Sequence, residues 1–155
     1  DFGSLYEKLK IAGARLALRS VQAIAAGQAP SIPQPQLPEL RPAPKLTKET
    51  GRLDPTQHPA PALANLVRGL APIPTAFVPL PDGRTLKVFR AQPFSDEEAS
   101  GPDTGGAGRW HSDGRSYLRL QTTDGLLDLL DVQLEGKKRM PIPDFLRGFD
   151  IKLLG

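Results

Sequence analysis

The sequence contains no cysteine, and this absence excludes several kinds of site at once. A chain without thiols cannot form a disulfide framework, bind a metal through thiolates or use a cysteine nucleophile. The sequence also lacks any run of about 18 apolar residues, so we predict that no segment crosses a membrane as a helix. A reducing, cytoplasmic setting fits this composition.

Methionine and histidine are also scarce. The only methionine is Met140, and the chain begins at Asp1 just before a predicted helix, so we interpret it as a piece of a larger protein. Neither histidine, His58 or His111, has a second ligand at a spacing typical of metal sites. We therefore expect both histidines to be surface or structural residues, and no metal site.

The other polar motifs do not predict an active site. Residues 101–108 are rich in glycine but lack the Gly-Lys-Ser/Thr ending of a phosphate-binding loop. Asp128 and Asp131 are three residues apart on a predicted strand, so we expect them on opposite sides of it. No serine stands in a nucleophile-elbow motif, including Ser100, Ser112 and Ser116.

The first part of the chain predicts a long helix followed by a proline-rich linker. Ser4 and Glu7 have the spacing of a capping box, and apolar residues recur at helical spacing, which favours a helix over about 4–26. Six prolines within 30–44 favour an extended linker, because proline fixes φ and removes amide donors. A ligand for aromatic-groove domains is the alternative. The linker leucines suggest that it lies against a surface: Leu37, Leu40 and Leu46.

The second part predicts a short helix and then strands. The helix covers about 59–70, where Leu63, Leu66, Val67 and Leu70 share one face. Strands separated by turn motifs are predicted at 75–80, 85–94, 109–112, 116–123 and 126–134. This pattern indicates a mainly β fold, a small open antiparallel barrel of the OB-like type with short flanking helices. Such barrels bind nucleic acids, sugars or peptides, so the fold alone leaves the function open.

The strongest functional signal is the run Gly136-Lys137-Lys138-Arg139-Met140, which follows the last long strand. No acid stands among its three cations, so we expect unpaired positive charge fixed at the rim of a folded domain. A phosphate backbone binds charge of this kind. The alternative is a basic turn that is merely solvated, which is common for charge runs.

The net charge is only +3, but the charged residues are unevenly distributed along the chain. Residues 45–90 contain seven basic and three acidic residues, a balance of +4, whereas 91–108 contain four acidic residues and no basic one. The local positive field favours a polyanionic partner. We expect the acidic segment 96–103 to lie away from any phosphate-binding surface.

Short segments spread over nearly the whole chain carry a resemblance to a known family. One of them is Val67-Arg68-Gly69-Leu70-Ala71-Pro72-Ile73-Pro74-Thr75-Ala76-Phe77. Further segments are 3–9, 45–49, 52–54, 124–127, 132–133, 136–140 and 144–146. In this order they resemble the last catalytic-domain helix, the linker and the C-terminal domain of bacterial methionyl-tRNA formyltransferases.

The resemblance implies a function divided between two domains. The family transfers a formyl group from 10-formyltetrahydrofolate to the methionine carried by initiator tRNA. Its catalytic residues and folate pocket lie in an N-terminal domain, so the resemblance implies no catalytic residue and no cofactor in this chain. The implied partners are initiator methionyl-tRNA and the missing catalytic domain, with no membrane and a monomeric state.

The resemblance also implies domain limits and contact residues. Residues 1–28 would be the last helix of the catalytic domain, 29–52 the linker and 53–155 the tRNA-binding barrel. The implied tRNA contacts are Lys45, Lys48, Arg68, Lys87, Lys137, Lys138 and Arg139. Simpler roles remain open, because Lys87 and Arg90 could be ordinary strand-surface charges and Arg68 could support Asp54 or a carbonyl.

Two positions depart from the family pattern, and other functions stay open. Pro55 and Ile73 stand where the family usually has aromatic residues, so we expect weaker packing or base stacking there. A sugar-nucleotide formyltransferase or a folate dehydrogenase would carry a similar barrel but would not need the basic run. A non-enzymatic scaffold barrel is the third possibility.

Overall fold

The computed structural model describes residues 1–36, 42–94 and 106–154. The chain divides into two compact units, Gly3–Leu46 and a second one made of Asp1–Phe2 with Thr47–Gly155. The acidic segment 96–103 expected from the sequence lies outside the described residues, as do Leu37 and Leu40. In the part of the chain that is described, no helix has the length and apolar character needed to cross a membrane.

The first unit is built on helix α1, Phe2–Ala25. Its C-terminal end follows the prediction, since Gly27 has φ +70° and the amides of Gly27 and Gln28 bond to Ile24 and Ala23, a Schellman arrangement. The predicted capping box is wrong, because the helix begins before Ser4. Glu7 instead pairs with Lys10 at 2.5 Å.

The side chains of α1 are largely exposed to solvent. None of its residues is buried, and the large apolar ones are about half exposed or more, for example Leu9, Leu16 and Ile24. The proline-rich segment after it has neither helix nor strand in its described part, as predicted. Leu46 is about half exposed in this chain, and the expectation that the linker lies against a surface stays a prediction.

In its described residues, the second unit consists of two helices, two short 3-10 helices and an antiparallel sheet. The helices are α2, Ala60–Leu70, and α3, Ile142–Leu146, and the 3-10 helices are Glu49–Gly51 and Ile151–Leu154. The strands are β1 Ala76–Pro79, β2 Thr85–Phe94, β3 Trp110–Ser112, β4 Leu118–Gln121, β5 Leu126–Leu134 and β6 Met140–Pro141. β2 and β5 have the predicted limits, whereas the two-residue β6 was not predicted.

The strands pair in the order β1-β2-β5-β4-β3, with β6 attached to β5, and every pair is antiparallel. Within the described ranges the sheet does not close on itself. The prediction of a mainly β, open OB-like barrel with short flanking helices is therefore confirmed, as is the long helix that precedes it.

An irregularity in β2 and β5 decides which side chains face outward. Val88 pairs with Val132 and Ala91 with Leu129, and between these pairs Arg90 pairs with Asp131. Each strand has one additional, unpaired residue at this step, Phe89 on β2 and Leu130 on β5. The buried positions therefore change parity along both strands, from 127 and 129 to 132 and 134 on β5. We call the side of β2 and β5 that is turned away from the core the outer face.

The core lies between α2 and the inner face of the sheet. Apolar side chains of α2 are buried on one helical face, Leu63, Val67 and Leu70, and Leu66 packs against them from the edge. They meet the buried side chains of the strands, including Leu86, Val88, Leu127, Leu129 and Val132. The closing residues of the chain complete the core with Ile142, Phe145, Leu146, Phe149 and Leu154.

A close backbone approach joins the segment before α2 to β1. Leu53 donates its N–H to the carbonyl of Phe77 at 2.9 Å, and a Cβ added at Gly51 would stand only 2.7 Å from the carbonyl oxygen of Thr75. Thr75 has φ +78°, held by its amide bond to Leu70 and by its hydroxyl, which donates to Pro72. The 3-10 helix Glu49–Gly51 is thereby anchored on the sheet unit.

Candidate nucleic-acid interface

The basic run of the sequence forms the tip of a β-hairpin. Val132 pairs with Met140 and Asp131 with Pro141, so β5 and β6 are the two arms and the loop between them contains both lysines. Gly136 occupies the left-handed region at φ +75°, and the amide of Lys137 closes the turn by donating to Leu134 at 2.9 Å. The turn therefore requires the glycine that opens the run.

The hairpin tip is also fixed to the neighbouring strand. Glu135 and Thr85 exchange two hydrogen bonds, the Glu135 amide to the Thr85 carbonyl at 3.0 Å and the Thr85 amide to Glu135 Oε2 at 3.1 Å. Gln133 Nε2 donates to the carbonyl of Lys137 at 2.8 Å. These contacts hold the backbone of the tip in one place on the rim of the sheet.

Lys137 and Lys138 project from this tip into solvent. Both are exposed, and neither ammonium group has a partner among the described residues. Lys87 on β2 pairs in register with Gln133, whose side chain contacts the tip, and Lys87 is itself exposed on the outer face. The structure thus brings three of the predicted cations, Lys87, Lys137 and Lys138, to one region, which we call the basic patch.

Arg139 differs from the two lysines before it. Its Nε and Nη2 both donate to Asp131 Oδ2, at 2.8 and 2.5 Å, and its guanidinium carbon lies 4.4 Å from the centre of the Phe89 ring. The expectation of three unpaired cations is therefore wrong for Arg139. The acid that neutralises it stands eight residues earlier, and only the hairpin register brings the two together.

Arg90 is a neighbour of the patch that the sequence did not single out as a contact. It pairs in register with Asp131, is exposed, and has no side-chain partner among the described residues. The sequence presented it as an ordinary surface charge. Its proximity to the hairpin depends on the irregular step at Phe89, which no periodicity of β2 reveals.

Strand pairing does not place the three other predicted cations in the basic patch. Arg68 is exposed on α2, whose apolar face packs on the inner side of the sheet, whereas Lys87 lies on the outer face. Lys48 precedes the 3-10 helix that is anchored near Thr75, and Lys45 belongs to the unit Gly3–Leu46.

Arg68 does not support Asp54. It donates to Asn65 Oδ1 at 2.7 Å. Asp54 accepts hydrogen bonds from the hydroxyl and the amide of Thr56, and these bonds lower the pKa of Asp54 below its usual value. The suggested pairing of Arg68 with Asp54 is therefore wrong, because each group has a local partner.

A row of polar side chains crosses the outer face of the sheet. Arg119 on β4 contacts Asp128 at 3.3 Å and lies against the rings of Phe94 and Tyr117, 3.3 and 4.2 Å from their centres. His111 pairs in register with Arg119, and its buried Nε2 has no partner among the described residues.

Asp128 and Asp131 both point to the outer face, because the parity of β5 changes between them. The prediction that they face opposite sides is thus wrong. Each is nevertheless bound to a different arginine, Arg119 or Arg139, so they form no carboxylate pair. Nowhere in the described ranges do three or more His, Asp or Glu side chains gather as a metal-binding group would.

The positions that depart from the expected aromatic pattern do not form a packed cluster. Ile73 is 74% exposed in the loop between α2 and β1, so its side chain contributes little packing there. Pro55 is half-buried. Ser112 and Ser116 stabilise the β3–β4 turn: Ser112 Oγ donates to the Tyr117 carbonyl at 2.6 Å, and Ser116 Oγ donates to Asp113.

This chain matches a known protein family over most of its length. Residues 45–150 match the family described as Formyl transferase, C-terminal domain. Among curated proteins, the chain is 38% identical over 154 residues to a methionyl-tRNA formyltransferase of Bacteroides fragilis, covering 95% of this chain and 46% of that protein. A methionyl-tRNA formyltransferase of Agathobacter rectalis is 37% identical over 150 residues, with 97% and 46% covered.

Solved structures with the same fold include HypX from Aquifex aeolicus. Its complex with tetrahydrofolic acid superposes with a TM-score of 0.54 and 22% identity, over 85% of this chain and 23% of that one. A second HypX variant gives a TM-score of 0.55 at 21% identity, over 88% of this chain and 23% of that one. The chain spans about half the length of the curated relatives it matches.

Proposed function

Because this chain belongs to the formyl transferase C-terminal domain family, we propose that it is the tRNA-binding C-terminal portion of a methionyl-tRNA formyltransferase. The whole enzyme moves a formyl group from 10-formyltetrahydrofolate to the α-amino group of methionine on initiator tRNA. The bond between the formyl carbon and the folate nitrogen breaks, a bond to the methionine nitrogen forms, and tetrahydrofolate leaves. Its setting is the cytoplasm, where translation starts.

Neither of the two histidines of this chain is placed to act as a general base in the transfer step. His58 is exposed in a loop, and His111 lies on a strand with its Nε2 buried against the sheet. Among the described residues, His111 Nε2 has no hydrogen-bond partner, and no acid is hydrogen-bonded to His58 in a way that would orient it as a general base. We therefore assign the folate site and the catalytic groups to a catalytic domain outside this chain, and give this chain the role of holding the tRNA.

The observation that carries the proposal is the basic patch. Lys87, Lys137 and Lys138 are exposed, lie on one side of the sheet and have no acidic partner among the described residues. The hairpin fixes the backbone that bears Lys137 and Lys138, and β2 fixes that of Lys87, so binding does not have to order the backbone. Contacts from such lysines to phosphates are independent of sequence and position the substrate.

The domain limits read from the sequence form part of the proposal. We assign 1–28 to the catalytic domain, 29–52 to the linker and 53–155 to the tRNA-binding barrel. The exposed apolar side chains of α1 support the first assignment, since a helix that covers nothing in its own unit is suited to pack elsewhere. We include Lys45 and Lys48 as linker contacts and Arg68 as a contact on a separate side of the barrel.

The test is the salt dependence of binding to initiator methionyl-tRNA. Neutralising about three to five phosphates predicts a slope near −3 to −4 for log K against log salt concentration. Fluorescence anisotropy with the 155-residue chain at several salt concentrations measures this slope. A flat response, or no binding, would overturn the proposal in favour of a scaffold barrel or of an enzyme acting on a small nucleotide sugar.

A further inference from the structure

We infer that Arg139 is a positioning residue that braces the hairpin tip, and that Lys137 and Lys138 make the phosphate contacts. The inference rests on the proposed function, because it concerns how the two lysines are presented to tRNA. It also separates residues that the sequence presents as one run of equivalent cations.

The first observation is that the charge of Arg139 is already compensated. Two of its N–H groups converge on Oδ2 of Asp131, and only 16% of the Asp131 side chain is exposed. Both bonds are charge-assisted, and charge-assisted hydrogen bonds are stronger than neutral ones. A phosphate that approached Arg139 would meet the negative charge of Asp131 and would have to displace it.

The second observation is the ring beneath the guanidinium. Phe89 is 9% exposed but is not part of the main core, and Arg139 lies over its ring. Phe89 is the additional residue of β2 at the irregular step. The step thus turns an aromatic ring to the outer face at the place where Arg139 can cover it.

The third observation is where this brace acts. Asp131 pairs with Pro141 and Val132 pairs with Met140, so the Arg139–Asp131 contact lies at the base of the hairpin arms. The tip beyond it contains Gly136, Lys137 and Lys138. Contacts at the base fix the direction in which the tip projects, which makes the positions of the two ammonium groups depend on Arg139.

These observations give opposite expectations for the substitution Asp131→Asn. If Arg139 is a phosphate contact, removal of the nearby negative charge frees it and strengthens tRNA binding. If Arg139 braces the hairpin, the same substitution weakens the brace and reduces tRNA binding. The sign of the change therefore decides between the two roles.

The binding experiment uses the 155-residue chain and initiator tRNA at one fixed salt concentration. We expect Asp131→Asn to weaken binding by about fivefold, the scale of a well-formed exposed ion pair. Arg139→Lys keeps the charge but loses the two-pronged contact, and we expect a similar loss. Asp144→Asn, which removes an exposed acid paired with Arg147, is the matched control and changes binding by less than about twofold. Binding of Asp131→Asn as tight as wild type or tighter, or of Arg139→Lys equal to wild type, would overturn the inference.

A second measurement needs no tRNA. Trypsin cleaves after Lys137 and Lys138 only when the hairpin opens, so the cleavage rate at these bonds, followed by mass spectrometry, reports how well the tip is held. We expect cleavage to be faster by about threefold or more in Asp131→Asn and Arg139→Lys, with cleavage after Arg115 as internal reference. Equal rates in variant and wild type would exclude the brace. If the wild type fails to bind tRNA, the proposed function is wrong, whereas the cleavage comparison still decides whether Arg139 holds the tip.

Discussion

Asp124 accepts a hydrogen bond from the backbone N–H of Ala60, 64 residues earlier in the chain, with 2.8 Å between Oδ1 and the amide nitrogen. Ala60 is the first residue of α2, and the residue before it, Pro59, provides no side-chain cap. The turn between β4 and β5 therefore supplies the cap that the helix lacks. The negative charge also lies at the positive end of the helix dipole.

Loss of this long-range cap should destabilise the barrel. We expect Asp124→Ala to lower the free energy of unfolding by about 1–2 kcal/mol, the range for lost helix caps. Asp124→Asn keeps an acceptor oxygen and should cost less. Urea denaturation followed by circular dichroism measures both. Asp150→Ala, which removes a local contact to the Lys152 amide, is the control, and an equal effect there would contradict the capping role.

Two glycines should respond to alanine in opposite directions. A Cβ at Gly51 would meet the Thr75 carbonyl oxygen at 2.7 Å, so we expect Gly51→Ala to cost about 1–3 kcal/mol through overpacking. Gly69 is exposed within α2, and a methyl group added there would have nothing within 4 Å, so Gly69→Ala should stabilise by about 0.5–1 kcal/mol. Thermal unfolding of the two variants side by side tests this, and a shift of both in the same direction would be inconsistent with the packing.

Acid should weaken the β3–β4 turn through Asp113. Its carboxylate accepts the Ser116 hydroxyl and the amides of Ser116 and Arg115, and these bonds hold the pKa of Asp113 far below its usual value. Since the folded-state pKa is lowered, this stabilisation is present above the ordinary pKa of about 3.9 and is lost as the pH falls below it.

Asp113→Asn tests this pH dependence, because asparagine keeps an acceptor oxygen and does not titrate. We expect the free energy of unfolding to fall less between neutral pH and pH about 3 in Asp113→Asn than in the wild type. Urea titrations at a series of pH values measure the difference. Asp144→Asn serves as the control, since Asp144 pairs with Arg147 on the surface. An acid response identical to that of the wild type in Asp113→Asn would show that the turn does not contribute.

Lys137 and Lys138 at the hairpin tip should account for part of the salt dependence of initiator-tRNA binding. Removing both in Lys137→Ala/Lys138→Ala should reduce the magnitude of the log–log slope by about 2, because each phosphate contact contributes about 0.9. Arg115→Ala removes an exposed cation from the turn between β3 and β4, on the other side of β5 from β2, and should leave the slope nearly unchanged. Equal slopes for the lysine variant and the wild type would remove the hairpin tip from the interface.

The limits of secondary-structure elements were predicted most accurately where an apolar segment ends at a clear turn motif. β2 and β5 have the predicted limits because long apolar segments end at clear turn motifs, and the resemblance at 67–77 and 136–140 identified the family that residues 45–150 match. The start of α1 was predicted at Ser4 because Ser4 and Glu7 have the spacing of a capping box, whereas the helix begins at Phe2.

Contacts between side chains on different strands could not be predicted from short stretches of sequence. The contacts of Arg139 with Asp131 and of Arg119 with Asp128 depend on strand register, which no short stretch of sequence encodes. The grouping of Lys87 with the hairpin tip depends on the same register. The sequence could therefore name the cations but could not tell which of them are neutralised.

The matched irregularity of β2 and β5 has a consequence for insertions and deletions. Because Phe89 and Leu130 are both additional residues, pairing resumes beyond them without an offset, from Val88–Val132 to Ala91–Leu129. Deletion of Phe89 alone would pair Ala91 with Leu130 and set the buried side of one strand against the exposed side of the other. Related barrels should therefore gain or lose these two residues together, as a unit of length variation that leaves the remaining ladder in register.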